Sequence, residues 1–359
     1  MNRTLIIAEV GVNHNGSLVQ AKKLVERACF AGVDIVKFQT FKASSLVTKS
    51  AEQADYQLIN TGKKESQLSM LKRLELSYAD HFELLDYCNK MGVEFLSTAF
   101  DSQSLKFLVE NLKLSRLKIS SGDITDAPLL LEYARTGCDL IVSTGMASMQ
   151  EVKEMLSVVA YGLISDVEAV PSVGDFNDAF ISPRGQRAIQ QKVTILHCTT
   201  QYPAPIEDIN LRAMDSLAKT FNLQVGYSDH SQGITVALAA VARGASVIEK
   251  HFTLDCSMQG PDHKASLEPD QLKALVSAIR IVEQALGDGI KIARPSEEKN
   301  KKIARKSIVA AKSIAIGDVL TKDNIAIKRP GYGLSPYLYW DLLGQTSLKI
   351  YDEGEPLDA

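Results

Sequence analysis

Eight short apolar runs rich in β-branched residues recur along residues 5–252, each ending in small or polar residues, and most are followed by a stretch with helical spacing. They occupy residues 5–11, 35–40, 94–100, 116–122, 140–146, 193–200, 224–230 and 246–252. Helical patterns fill most of the gaps, as at residues 18–31, where Leu24, Val25 and Ala28 share a face, and at 81–91. Gly32 and Gly92 stand where these two helices should close. A strand followed by a helix eight times over predicts an α/β fold, a (β/α)8 TIM barrel, with a doubly wound open sheet as the weaker choice. At 359 residues the chain holds such a barrel, about 250 residues, and a smaller second module.

The rest of the chain divides around this pattern. Between the fifth and sixth runs the connection is oversized. Its part at 166–187 carries Pro171, Gly174, Pro183 and Gly185 and reads as a surface excursion. After the eighth run a helix is expected over 269–286, ending at Gly287-Asp288-Gly289 and a charged stretch at 296–305. The expected division is a barrel over 1–287, a linker over 288–305 and a small, mainly β module over 306–359, with short runs at 307–310 and 325–328. Hydrophobic residues at 45% and charged residues at 23% suit a chain that buries a core, and exclude disorder, collagen and coiled coil. A net charge of -3 gives no global positive field for nucleic acid or an anionic membrane surface. The five cysteines form no close pair and read as reduced core residues. Residues 1–9 are too short an apolar start for a signal peptide, and no run of about 18 apolar residues follows, so a cytoplasmic protein is expected.

In a barrel the site lies at the C-terminal ends of the strands, and those ends are strongly polar here. Period-two alternation lets Glu9, Lys37, Gln39, Ser228, His230, Glu249 and His251 all point inward, which turns Asp229 and Lys250 toward the helices. Lys37 and Lys118, buried in one pocket, call for an anion such as a phosphate or carboxylate between them, with Ser120, Ser121, Ser143 and Thr144 as further donors. The plainer alternative is that each lysine pairs with Glu9 or Glu249, and a Schiff-base lysine is a further one. His230 and His251 close adjacent strands, and with Glu249 and Asp262 as oxygen donors they suit a divalent ion such as Mn²⁺, Co²⁺ or Zn²⁺. His14 reads as a residue shaping the first loop, and Lys328-Arg329-Pro330-Gly331 as a tight turn carrying a guanidinium.

The segments IAEVGVNHNG (7–16), VKFQTF (36–41), STGM (143–146), LHCTTQYPAP (196–205), GYSDH (226–230), IEKHFTLD (248–255), GPDHKASLEP (260–269) and KRPG (328–331) occur in order, and with them the chain resembles the sialic acid synthase family. The resemblance implies a TIM barrel followed by a mainly β antifreeze-like (SAF, β-clip) domain, and a transferase that condenses phosphoenolpyruvate with a 2-acetamido sugar and releases phosphate. N-acetylmannosamine, giving N-acetylneuraminate, is the first acceptor to expect. A 2,4-diacetamido-2,4,6-trideoxymannose giving N,N'-diacetyllegionaminate is the alternative, and pseudaminate synthesis the third.

Carried over by motif, Lys37, Thr98, Lys118, Ser121, Ser143 and Ser228 would bind phosphoenolpyruvate, with Glu9, Lys37 and Lys118 catalytic. Gln39, Asp123, Tyr202, Glu249, Asp262 and Arg329 would line the sugar side, and His230 and His251 would hold the metal, Mn²⁺ before Mg²⁺ or Co²⁺. The family's dimers swap the C-terminal domain, which would bring Arg329 into a partner's site, and no nucleic acid or membrane partner is implied. Asp123 stands where many members carry Glu, Thr200 where others have Asn and Tyr332 where Asn is common, while STAF (97–100) replaces STPF. The long connection around residues 157–191 is an insertion relative to several members, and these departures together bear on which sugar is taken.

Overall fold

The structure is a computed structural model that describes residues 3–358, apart from the side chains of Tyr56 and Ile59. The eight runs form β1 (Leu5–Gly11), β2 (Ile35–Thr40), β3 (Glu94–Ala99), β4 (Arg116–Ile119), β5 (Asp139–Ser143), β6 (Val193–Cys198), β7 (Gln224–Asp229) and β8 (Val247–His251). Each pairs in parallel with the next and β8 pairs with β1, so the sheet closes into a barrel. Several strands end one to three residues before the apolar run does, because Gly122 and Gly145 and the polar residues around them turn into the loops above the barrel. The Leu18–Ala31 and Tyr78–Met91 helices close at Gly32 (φ 87) and Gly92 (φ 73), both left-handed, which a glycine adopts without a Cβ clash.

Two apolar layers hold this unit together. The larger packs the outer faces of the strands against the surrounding helices, around fully buried Leu24, Leu84, Tyr133, Leu156 and Leu272. The smaller, made of Ile7, Ile35, Leu96, Ile141, Leu196 and Val247, fills the barrel interior, one residue from each of six strands. Above that plug the inward positions become polar, and this is what fixes the site.

One reading from the sequence needs correction. Residues 166–187 are not a turn-rich excursion: helices span Val173–Ile181 and Pro183–Lys192. Ser172 and Ser182 cap them, Pro183 opens the second at a position where its missing N–H costs nothing, and Gly185 lets it cross the first. A Cβ on Gly185 would lie 2.0 Å from the Ala179 carbonyl oxygen. The residues taken for starters of turns are starters of helices. The stretch 288–305 carries a short helix, Glu298–Ala304, and groups with the residues after it in a second compact unit running from Asp288 to Ala359.

That second unit pairs β9 (Ser307–Ala310) antiparallel with β10 (Ile325–Lys328). Single bridges join Val309 to Pro356, Ile314 to Tyr351 and Val319 to Thr346, over a small core of Ile308, Ile314, Leu320, Ile325 and Leu357. Among the described residues no helix is long and apolar enough to cross a membrane.

Candidate active site

Period two places the chemistry one layer above the plug. Glu9, Lys37, Thr98, Ser143 and Glu249 each follow a plug residue (Ile7, Ile35, Leu96, Ile141, Val247) by two positions, so they face the same interior. Together with Gln39, Lys118, Ser121, Tyr202, Ser228, His230, His251 and Asp262 they line a cavity of about 270 Å³ at the C-terminal ends of the strands.

Its floor is a four-membered charge cluster. Lys37 Nζ lies 2.7 Å from Glu9 Oε2 and 3.7 Å from Glu249 Oε2. Lys118 Nζ donates to Ser143 Oγ at 2.6 Å and to the Ile119 carbonyl at 2.9 Å, and stands 3.8 Å from Glu249 Oε1. Ser228 donates to Glu249 at 3.0 Å. Burial pushes the Glu9 carboxyl up to about 7 and the nearby Glu249 charge adds to that, against the pull of Lys37. Burial also works against ionising Glu249, but Lys118 and Lys37 outweigh it and hold that carboxyl below its ordinary range. Burial and the neighbouring Lys37 charge lower the Lys118 ammonium, with Glu249 opposing.

This arrangement corrects the inference from the lysines. Two buried ammonium groups do not by themselves demand a bound anion here, because Glu9 and Glu249 already balance them; it is the plainer pairing that the geometry contains. An arriving dianion would compete with the two carboxylates for the same ammonium groups.

The imidazoles of His230 and His251 converge, with ring centroids 5.5 Å apart and the Tyr202 ring tilted by 38° at 4.3 Å from His230. Burial lowers both histidines, His251 well below its usual value, which favours the neutral imidazole in each. His230 Nδ1 sits 2.7 Å from the Thr199 carbonyl oxygen and must carry its proton toward it, which leaves Nε2, 3.3 Å from Ser228 Oγ, as the unprotonated nitrogen facing the cavity. His251 Nδ1 is buried without a hydrogen-bond partner. Glu249 and Asp262 do not complete a cage: among the described residues no group of three or more His, Cys, Asp or Glu side chains is placed to hold a metal ion. A metal here would rest on two imidazoles, with its other positions open to ligand or water.

Behind the histidines, Asp229 and Lys250 face the helices, as alternation predicts, and pair at 2.9 Å with no exposure at all. His14 is buried and its Nδ1 accepts from the Gly16 amide at 3.0 Å, so it does shape the first loop. Asp123 falls outside the cavity lining. Ser120 donates to its carboxylate at 2.8 Å and burial pushes it up to about 6, an arrangement made by the tight turn at Ser121–Asp123. Arg329 belongs to the second unit, exposed just after β10. Sequence reasoning missed the apolar part of the lining, Val12, Met70, Leu71, Leu74 and Phe100. Three of these lie on the Gln67–Leu74 helix within the long β2–β3 connection, where no strand-end rule applies.

Residues 24–291 match the model of the NeuB family, and residues 305–359 that of the SAF domain. The chain belongs to the NeuB family. Among members, it is 48% identical over 355 residues, 99% of both chains, to the N,N'-diacetyllegionaminic acid synthase of Campylobacter jejuni. It is 43% identical to the protein of the same name in Legionella pneumophila, over 94% of this chain and 89% of that one. Among solved structures, the N-acetylneuraminic acid synthetase of Leptospira borgpetersenii, in complex with citrate, superposes with a TM-score of 0.68 at 30% identity, covering 83% of this chain and 90% of that one. This NeuB family chain thus carries the family barrel and the SAF domain that the sequence motifs imply.

Proposed function

We propose that the protein condenses phosphoenolpyruvate with 2,4-diacetamido-2,4,6-trideoxymannose and water to give N,N'-diacetyllegionaminate and phosphate. The observation that carries this reading is the 48% identity, over nearly the full length of both chains, to a protein of that name. It reverses the order expected from motifs alone, which put N-acetylmannosamine first.

The cavity offers what the reaction needs. Lys37, Lys118, Thr98, Ser121, Ser143 and Ser228 surround the floor and hold the phosphate and carboxylate of phosphoenolpyruvate. Gln39, Tyr202, Glu249 and Asp262 face the acceptor, with Arg329 reaching it from a second copy in a swapped dimer. The methylene carbon of phosphoenolpyruvate bonds to the aldehyde carbon of the open-chain sugar, and water adds to the cationic carbon left behind. The carbon–oxygen bond to the phosphate then breaks, so phosphate leaves with the bridging oxygen and a nine-carbon 2-keto acid remains. Glu9, facing the cavity beside Lys37, handles the proton of the attacking water. Fixing both reactants in one rigid cavity is worth up to about 7–11 kcal/mol of the barrier.

His230 and His251 fit a divalent ion, Mn²⁺ first, because both are neutral, one is oriented by a backbone carbonyl, and the other has an orphaned buried nitrogen. When bound, such an ion supplies Lewis-acid polarisation of the aldehyde oxygen.

The test is phosphate release from phosphoenolpyruvate after EDTA treatment and Mn²⁺ addition, with the diacetamido sugar and N-acetylmannosamine in parallel. Release that stops with EDTA, returns with Mn²⁺ and runs at least about tenfold faster (kcat/KM) with the diacetamido sugar is expected, a margin typical of pocket discrimination. Faster turnover of N-acetylmannosamine would return the first place to N-acetylneuraminate. Gly145 gives a second check: its amide donates to Ser121 Oγ at 2.9 Å, and a Cβ there would lie 2.2 Å from Thr200 Oγ1 and 2.9 Å from Ser121 Oγ. Gly145→Ala is expected to raise the KM for phosphoenolpyruvate about tenfold by displacing that serine. Initial rates at varied phosphoenolpyruvate measure it.

A further inference from the structure

The cavity is chemically two-sided. Its floor carries the lysines, glutamates and serines of the strand ends, whereas Val12, Met70, Leu71, Leu74 and Phe100 form an apolar wall, beside which Gln57 of the same connection also lines the cavity, its Oε1 accepting from the Ala54 amide at 3.0 Å. The wall belongs to a cluster separate from both barrel layers, built where the β2–β3 connection folds over the mouth and packs Met70 and Leu74 against Val12 and Phe41. It is a fixed surface. Lys42 pairs with Glu75 at 2.7 Å just beyond the Gln67–Leu74 helix, and Gln53 Nε2 donates to Met70 Sδ at 3.4 Å. Asn60 Nδ2 donates to the Pro261 carbonyl at 2.7 Å, which ties this connection to the loop that carries Asp262.

Phosphate, carboxylate and sugar hydroxyls have no use for these five side chains, since each would lose water against them and find no partner among them. Methyl groups do. Taking phosphoenolpyruvate to lie on the charged floor, the wall faces whatever binds above it. We infer that the Met70–Leu71–Leu74 face of the Gln67–Leu74 helix selects the acceptor, by receiving the C6 methyl of a 6-deoxy sugar and turning away sugars with a hydroxyl at C6. This rests on the synthase reading above and deepens it: the discriminating residues lie on the β2–β3 connection and not on a strand end.

The test uses two acceptors that differ only in the C6 oxygen, N-acetylmannosamine and its 6-deoxy analogue, with phosphoenolpyruvate and Mn²⁺. An apolar pocket rejects an added hydroxyl by up to about a hundredfold, so wild-type kcat/KM is expected to favour the 6-deoxy sugar by about 10- to 100-fold. Leu71, half-buried, tolerates a polar substitute of its own size, and Met70→Gln keeps the length of the side chain. Leu71→Asn and Met70→Gln are each expected to shrink the preference to about threefold or less, with the loss falling on the 6-deoxy sugar and the KM for phosphoenolpyruvate held. A wild-type enzyme that prefers the 6-hydroxy sugar, or is indifferent, overturns the inference while leaving the condensation standing. So does an unchanged preference in either variant. If no acceptor releases phosphate, the synthase reading is what fails. The same comparison is then made as dissociation constants of the two sugars by calorimetry in the presence of phosphoenolpyruvate, where equal constants overturn the wall and a 6-deoxy preference lost in Leu71→Asn upholds it.

Discussion

Lys118→Met is expected to lower kcat/KM for phosphoenolpyruvate by about a hundred- to a thousandfold, the effect of removing a buried charged partner worth about 2–5 kcal/mol. The substitution keeps length and apolar stem and deletes one ammonium. In the free protein Lys118 Nζ holds Ser143 Oγ at 2.6 Å and is the cation that most lowers Glu249. Without it, one lysine faces two carboxylates, and Glu249 is relieved by taking up a proton. In the complex, the anion loses a charge-assisted donor and Ser143 loses the group that orients it. Lys118→Arg should not restore activity, because a planar fork cannot stand where a point charge on a slim stem reaches both Ser143 and the Ile119 carbonyl. Phosphate release at varied phosphoenolpyruvate decides it: a fall confined to about threefold would make Lys118 merely the partner of Glu249, the size of effect left by a well-screened pair.

What could be read in the sequence follows from the strictness of the barrel. An interior position in a parallel strand recurs every second residue, so once Ile7, Ile35 and Val247 are placed inside, Glu9, Lys37 and Glu249 have nowhere else to point. The same rule turns Asp229 and Lys250 outward, where they are found. Beyond the strand ends the rule lapses. The tight turn at Ser121–Asp123 rotates Asp123 onto Ser120, and no periodicity predicts that. The apolar wall comes from a helix whose sequence, QLSMLKRL, looks like any amphipathic surface helix; only the folded connection shows what its apolar face covers. Charge balance was legible only as one of two alternatives, since residue types allow each lysine to pair with Glu9 or Glu249 but do not fix that Lys37 sits between both carboxylates. Pro183 and Gly185 read as breakers because one residue at a time they are; in place, the first starts a helix and the second permits its crossing.

Lys250→Met should cost about 3–5 kcal/mol of stability, the usual result of stripping one partner from a buried pair. The pair leaves its charges nowhere to go: both side chains are at 0% exposure, between neighbouring strands in register and the helices outside them. Asp229 Oδ1 is occupied by the Ser231 amide at 2.9 Å and its hydroxyl at 2.6 Å, and Lys250 also donates to the Ser231 carbonyl. Met in place of Lys250 therefore leaves a carboxylate with two hydrogen bonds and no countercharge, which is the costly half of the arrangement. Adding Asp229→Asn removes that charge and keeps an oxygen for Ser231, so the double variant should recover most of the loss. At roughly 2–4 °C per kcal/mol for a domain of this size, the single variant melts about 10 °C lower and the double variant within a few degrees of wild type. Circular dichroism melts of the full chain measure both. A single variant that melts with the wild type would mean that the buried charges contribute nothing net, and that the turn at Ser231 is held by its hydrogen bonds alone.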